Sequence, residues 1–74
     1  MTTFLLHTEF ITLGQLLKAT GVVDYGGEVK SYLADHEVFI NGELDVRRGR
    51  KLYSGDRVEL PGQELIEIVR GHSD

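Results

Sequence analysis

Apolar residues recur at helical spacing in the first half of the chain and at alternating positions in the second, so the sequence divides into a helical part and a strand-bearing part. Leu13, Leu16, Leu17 and Thr20 share one helical face. Thr12 and Gln15 before them fit a capping box, in which the threonine hydroxyl accepts from the backbone three residues on and the glutamine reaches back. Ile11 and Leu16 suit the accompanying hydrophobic staple, and Gly21 is placed to end the helix in a left-handed conformation. A second helix is predicted after a cap at Asp24 or Tyr25. Its stripe Val29, Tyr32, Leu33 and His36 faces the core, while Glu28, Lys30, Ser31 and Asp35 look outward. A short strand over residues 3–7 precedes both helices.

Asn41-Gly42 lies between the apolar run Val38-Phe39-Ile40 and Leu44, and both residues tolerate the positive φ of a tight hairpin turn. A strict two-residue loop sets Phe39 opposite Leu44 and leaves apolar groups on both faces. Either helices cover one face and the terminal strands the other, or a bulge shifts the register. Tyr53-Ser54-Gly55-Asp56 reads as a turn into a strand over 57–60, Pro61-Gly62 suits a type II turn, and 64–70 returns as the last strand. Residues 71–74 are expected to fray. The expected class is therefore α+β: two short helices packed on a small twisted, mainly antiparallel sheet, with residues 1–74 as one domain.

With 74 residues the chain can bury only about 60% of its unfolded surface, so its core is small. It has no cysteine, hence no disulfide framework or thiolate metal site. Phe4-Leu5-Leu6 is too short for a signal-peptide core, and no run approaches the length of a membrane span. The expected compartment is the cytoplasm, with no membrane partner. A net charge of -4 argues against general adhesion to nucleic acid, so any such contact has to be local.

Positive charge is local. Arg47, Arg48, Arg50 and Lys51 supply four of the eight basic residues, with Gly49 free to bend between them. Such a run is either a solvated loop or a phosphate-binding patch. Gly26 and Gly27 leave the start of the second helix without side chains, where unpaired N–H groups and the helix dipole favour an anion, and Lys30 stands one turn in. Neither a GxxxxGK[ST] nor a GxGxxG pattern is present. His36 beside Asp35 and Glu37 reads as a packed, hydrogen-bonded histidine at the core edge. No second histidine lies at ligand spacing, so neither metal nor cofactor is expected. His7 and His72 would meet only if the terminal strands pair. No nucleophile elbow or carboxylate dyad appears, and the chain is not expected to be an enzyme.

In order and spacing, Leu13, Leu16, Leu17, Gly21, Val29, Lys30, Leu33, Val38, Ile40, Asn41, Gly42, Leu52, Gly55 and Asp56 resemble the RNA-binding domain named after small-subunit ribosomal protein S-four. The resemblance covers residues 12–60, and the flanking strands and the GGxxK, NG and RRGRKL stretches look closest to its YaaA-like single-domain bacterial subfamily. It implies the S-four-like fold with its alpha-L motif, and a non-catalytic protein that grips the phosphate backbone of structured RNA, with ribosomal RNA or an assembling ribosomal particle as target. The family usually carries Ser-Arg where Tyr25-Gly26 stands, so one phosphate-binding arginine is missing while Lys30 is kept. The implied contact residues are Tyr25, as a stacking ring, the N–H groups of Gly26 and Gly27, and the charges of Lys30, Arg47, Arg48, Arg50 and Lys51. Ribosomal proteins are possible further partners of a monomer. Two readings from other classes stand beside it. One is a protein-interaction module using Glu9, Glu59, Glu64 and Glu67. The other is a ubiquitin-like sulfur carrier, against which the ending Gly71-His72-Ser73-Asp74 argues, because such carriers end in Gly-Gly.

Overall fold

The computed structural model describes residues 1–71, and the expectations for His72 and the end of the chain lie outside them. Nine elements follow in order: β1 (Thr2–Leu6), β2 (Ile11–Thr12), α1 (Leu13–Ala19), α2 (Gly26–Asp35), β3 (Phe39–Ile40), β4 (Glu43–Leu44), β5 (Lys51–Leu52), β6 (Arg57–Glu59) and β7 (Ile66–Arg70). The main sheet has the order β1-β7-β6-β3-β4, and β2 and β5 form a separate antiparallel pair. All pairings in the main sheet are antiparallel except β1 with β7. The two helices and the mixed sheet make the expected small α+β architecture.

Local signals set the helix ends. The Thr12 hydroxyl accepts from the Gln15 N–H at 3.3 Å, and the Gln15 side chain accepts from the Thr12 N–H at 3.0 Å, which closes the capping box. At the other end Gly21 has φ +79°, with Val22 N–H donating to the Leu17 carbonyl at 3.0 Å and Gly21 N–H to that of Lys18 at 3.1 Å. That is a Schellman motif, and it satisfies two carbonyls that the helix end leaves open. α2 starts after Tyr25, which makes no side-chain cap; Glu28 instead reaches back to the Asp24 N–H at 3.0 Å.

The hairpin has the strict two-residue loop, with Phe39 opposite Leu44 and Ile40 opposite Glu43. Asn41 and Gly42 both have positive φ, 54° and 84°. No bulge is needed, and the terminal strands do not cover the second face. They extend the same sheet, so on the face that carries Phe39, Leu44 and Leu5 the two leucines are exposed and Phe39 is half-buried. The inner face runs Ile40–Val58–Ile66 across three strands and meets Leu13, Leu16, Leu17, Val29 and Leu33 from the helices. His36 departs from its expected place. α2 ends at Asp35, so His36 takes an extended φ of -132° and is exposed, with its ring stacked 4.1 Å from Tyr32 and Nδ1 donating to the Tyr32 carbonyl.

One side chain ties the hairpin to the rest of the sheet. Asn41 Nδ2 donates to Asp56 at 3.0 Å, its Oδ1 accepts from the Arg57 N–H at 3.0 Å, and the other Asp56 oxygen accepts from the Tyr53 N–H at 2.8 Å. Asn41→Ala removes both bonds and replaces a residue that tolerates the left-handed region with one that does not. Loss of about 2–3 kcal/mol is expected in urea unfolding, from two bonds of roughly 1 kcal/mol each and the conformational strain. Asn41→Gly keeps the turn geometry and should fall between the two. A glycine variant as stable as the parent would show that the side-chain bonds contribute nothing.

Candidate nucleic-acid interface

The basic segment is not a free loop. The Leu13 N–H donates to the Arg50 carbonyl at 2.8 Å and the Gly14 N–H to the Arg48 carbonyl at 2.9 Å, so the segment's own backbone occupies the first N–H groups of α1. β2 and β5 continue this contact through the pairs Ile11–Leu52 and Thr12–Lys51. The approach is close: a β-carbon on Gly14 would lie 3.3 Å from the Arg48 carbonyl oxygen and 3.4 Å from Val29 Cγ1.

Asp45 holds the segment from within. Arg47 grips its carboxylate with both arms of the guanidinium fork at 3.1 and 2.8 Å, the Arg47 backbone N–H adds a bond at 3.1 Å, and Arg50 Nη1 donates at 2.8 Å. Only 10% of the Asp45 side chain is exposed. The Arg47 guanidinium, with help from Arg50, holds its carboxyl well below the usual carboxylate range. Arg47 and Arg50 thus spend part of their charge inside the molecule, although Arg47 is exposed and can still present its outer edge. Arg48 and Lys51 have no ion-pair partner among the described residues. Lys51 instead sits with Nζ 4.9 Å over the Phe10 ring, which in turn lies 5.8 Å from that of Tyr53.

Six of the eight predicted contact residues fall into two adjoining groups, and Tyr25 and Gly27 stand outside them. Gly26 and Arg48 line a groove of about 290 Å³ between the helices and the loop, and Lys30 and Arg48 line a neighbouring one of about 420 Å³. Arg47, Arg50 and Lys51 line a third, of about 560 Å³. Gly49 joins the first to the third. Tyr25 is 65% exposed and lines none of the three; its ring lies against Gly27, where a β-carbon would meet it at 3.4 Å. Among the described residues nothing accepts from the Gly26 and Gly27 N–H groups. Gln15 and Lys18 of α1, neither of them among the predicted contact residues, line the first groove, and Tyr53 lines the third. Lys18 stands one turn beyond Gly14, exposed and off the leucine face of α1.

Two helices whose N-terminal region faces a pinned basic loop, on a small mixed sheet, define a chain of the S4 domain family. The family model described as S4 domain matches residues 4–69, and the chain belongs to that family. It is 52% identical over 64 residues to the probable ribosome maturation protein RlbA of Bacillus subtilis (strain 168), an alignment spanning 86% of this chain and 90% of that protein. The resemblance carried by residues 12–60 is borne out, and the match extends into both terminal strands.

Asp45 gives this arrangement a pH signature. Its carboxyl titrates lower in the folded chain than the ordinary value of about 3.9 for an unfolded aspartate, so its contribution is complete above that pH and is lost as pH falls toward the folded value. Asp45→Asn should cost about 1 kcal/mol near neutrality, a modest figure because Arg47 is solvent-exposed and screened. In thermal unfolding the gap between the variant and the parent should close as pH falls below about 4. A gap independent of pH would rule out the ion pairs as its cause.

Proposed function

We propose that this protein is a non-catalytic RNA-binding protein that grips the phosphate backbone of a structured RNA, namely ribosomal RNA or an assembling ribosomal particle. The observation that carries this reading is the meeting of Gly26, Lys30 and Lys18 with Arg48 around adjoining grooves beside a pinned basic segment. A helix start with open N–H groups next to cations is suited to phosphate oxygens. Cations held at fixed spacing match a backbone geometry and not a base sequence. The name of the Bacillus subtilis relative, a probable ribosome maturation protein, agrees with a ribosomal target. In this reading the protein acts as a monomer in the cytoplasm, alongside ribosomal proteins, and needs no cofactor. No described helix is long and apolar enough to cross a membrane.

The acidic-surface alternative is weakened by where its carboxylates go. Glu64 accepts from the Thr2 hydroxyl at 2.9 Å and lies 3.5 Å from the N-terminal ammonium, and Glu67 stands 4.0 Å from Arg57. Two of the four acids proposed for a basic partner thus already have partners in this chain.

The variants that test RNA binding are Lys30→Glu and Arg48→Glu, because glutamate at Arg47 or Arg50 would face Asp45 with like charge and disturb the fold. The double variant should lose measurable binding to a ribosomal RNA fragment while its thermal unfolding stays close to that of the parent. For about four neutralised phosphates, raising salt from about 50 to about 200 mM should weaken parental binding ~100-fold. Parental affinity in the double variant would remove the assignment.

Charge attraction alone would also draw the protein to an unstructured polyanion, so a second comparison is needed. A folded ribosomal RNA fragment should outcompete polyuridine of equal length by at least ~10-fold, or ~1.4 kcal/mol. Equal competition would reduce the segment to a nonspecific patch.

A further inference from the structure

We infer that the exposed ring of Tyr53, backed by Phe10, is a stacking platform for one unpaired nucleobase of the bound RNA; the inference rests on the RNA-binding reading above. Tyr53 is 44% exposed and lies outside the core cluster, so packing does not account for a large aromatic at this place. Its position is nevertheless fixed. The Tyr53 N–H donates to the Asp56 carboxylate at 2.8 Å and its carbonyl accepts from the Asp56 N–H at 3.0 Å, while Asp56 is itself bound by Asn41. The ring is tilted 48° against Phe10, a contact that leaves much of its surface uncovered.

Its surroundings select the ligand class. Tyr53 lines the same cleft of about 560 Å³ as Arg47, Arg50 and Lys51, so a flat apolar surface and several cations open onto one space. A nucleotide has the matching two parts, a π-face and a phosphate. The aromatic takes the base without reading its edge, because every base has such a face. A base inside a duplex is already stacked and paired, so the platform favours RNA in which a base next to the gripped backbone is unpaired. Shape recognition by the cations and recognition of a break in the helix by Tyr53 then act together.

The test uses the ribosomal RNA fragment of the binding assay above with one unpaired adenosine in a stem, and the same fragment with that adenosine paired to an added uridine. The parent protein should bind the first about 10-fold tighter. Tyr53→Leu, which keeps apolar cover over Phe10 but has no ring face, should bind both at the level of the paired RNA, and Tyr53→Phe should behave as the parent. Arg48→Glu should weaken both RNAs equally. A preference retained in Tyr53→Leu, or absent from the parent while Arg48→Glu still weakens binding, overturns the platform and leaves the RNA reading standing. Binding of neither RNA by the parent overturns both.

Discussion

The two hydrogen bonds from the Leu13 and Gly14 N–H groups to the carbonyls of Arg50 and Arg48 are the constraint on which the proposed interface depends. They turn a run of basic residues that would repel itself in solution into part of the folded body. Because the peptide backbone occupies the start of α1, Arg48 is set beside Gly14 and Lys18 in the groove between the helices and the loop. Gly14 makes this possible, since a β-carbon there would crowd both the loop carbonyl and Val29 of the second helix. Asp45 completes the arrangement by drawing Arg47 and Arg50 back over one nearly covered carboxylate.

This device reconciles a net charge of -4 with a proposed polyanion target. At physiological ionic strength charges are screened over about 8 Å, so the overall balance matters less than what lies within one such length of the contact. Lys18, Lys30, Arg48 and Lys51 have no ion-pair partner among the described residues, whereas several acids are engaged elsewhere: Glu64 at the amino terminus, Glu67 with Arg57, Asp56 in its turn. The acidic surplus keeps distant attraction weak, and binding has to come from several contacts made at once.

What was legible in the sequence was what a few consecutive residues decide. The capping box at Thr12, the left-handed end at Gly21 and the two-residue turn at Asn41-Gly42 each involve backbone groups within a handful of positions, and each occurs as read. The parallel pairing of β1 with β7 and the β2–β5 contact join segments far apart in the chain, and only collapse around a shared core brings them together. The same division holds for the interface. The basic run was legible as charge, but the tie of Arg47 and Arg50 to Asp45 was not, since a lone aspartate between apolar residues carries no signal of a bidentate grip. Lys18 and Tyr53 carry no such signal, because a solvent-facing lysine and a turn tyrosine look the same whether or not a groove runs beside them. The helical stripe that includes His36 runs one residue past the end of α2, where the chain turns extended.

Rigidity connects these points to function. Backbone bonds to α1, the Asp45 ion pairs and the Asn41–Asp56 link each restrain one part of the segment from the hairpin to the Tyr53 turn, so its backbone and the Arg47 and Arg50 guanidinium groups are tied into the fold. A flexible basic tail would have to order itself on binding and would lose affinity to that entropy, yet it could adapt to any phosphate spacing. A pre-ordered segment avoids the loss and cannot adapt. In the proposed function such a segment would discriminate against backbones whose phosphates do not fit, which is how so few charges on so small an acidic domain would favour a folded RNA over a flexible one.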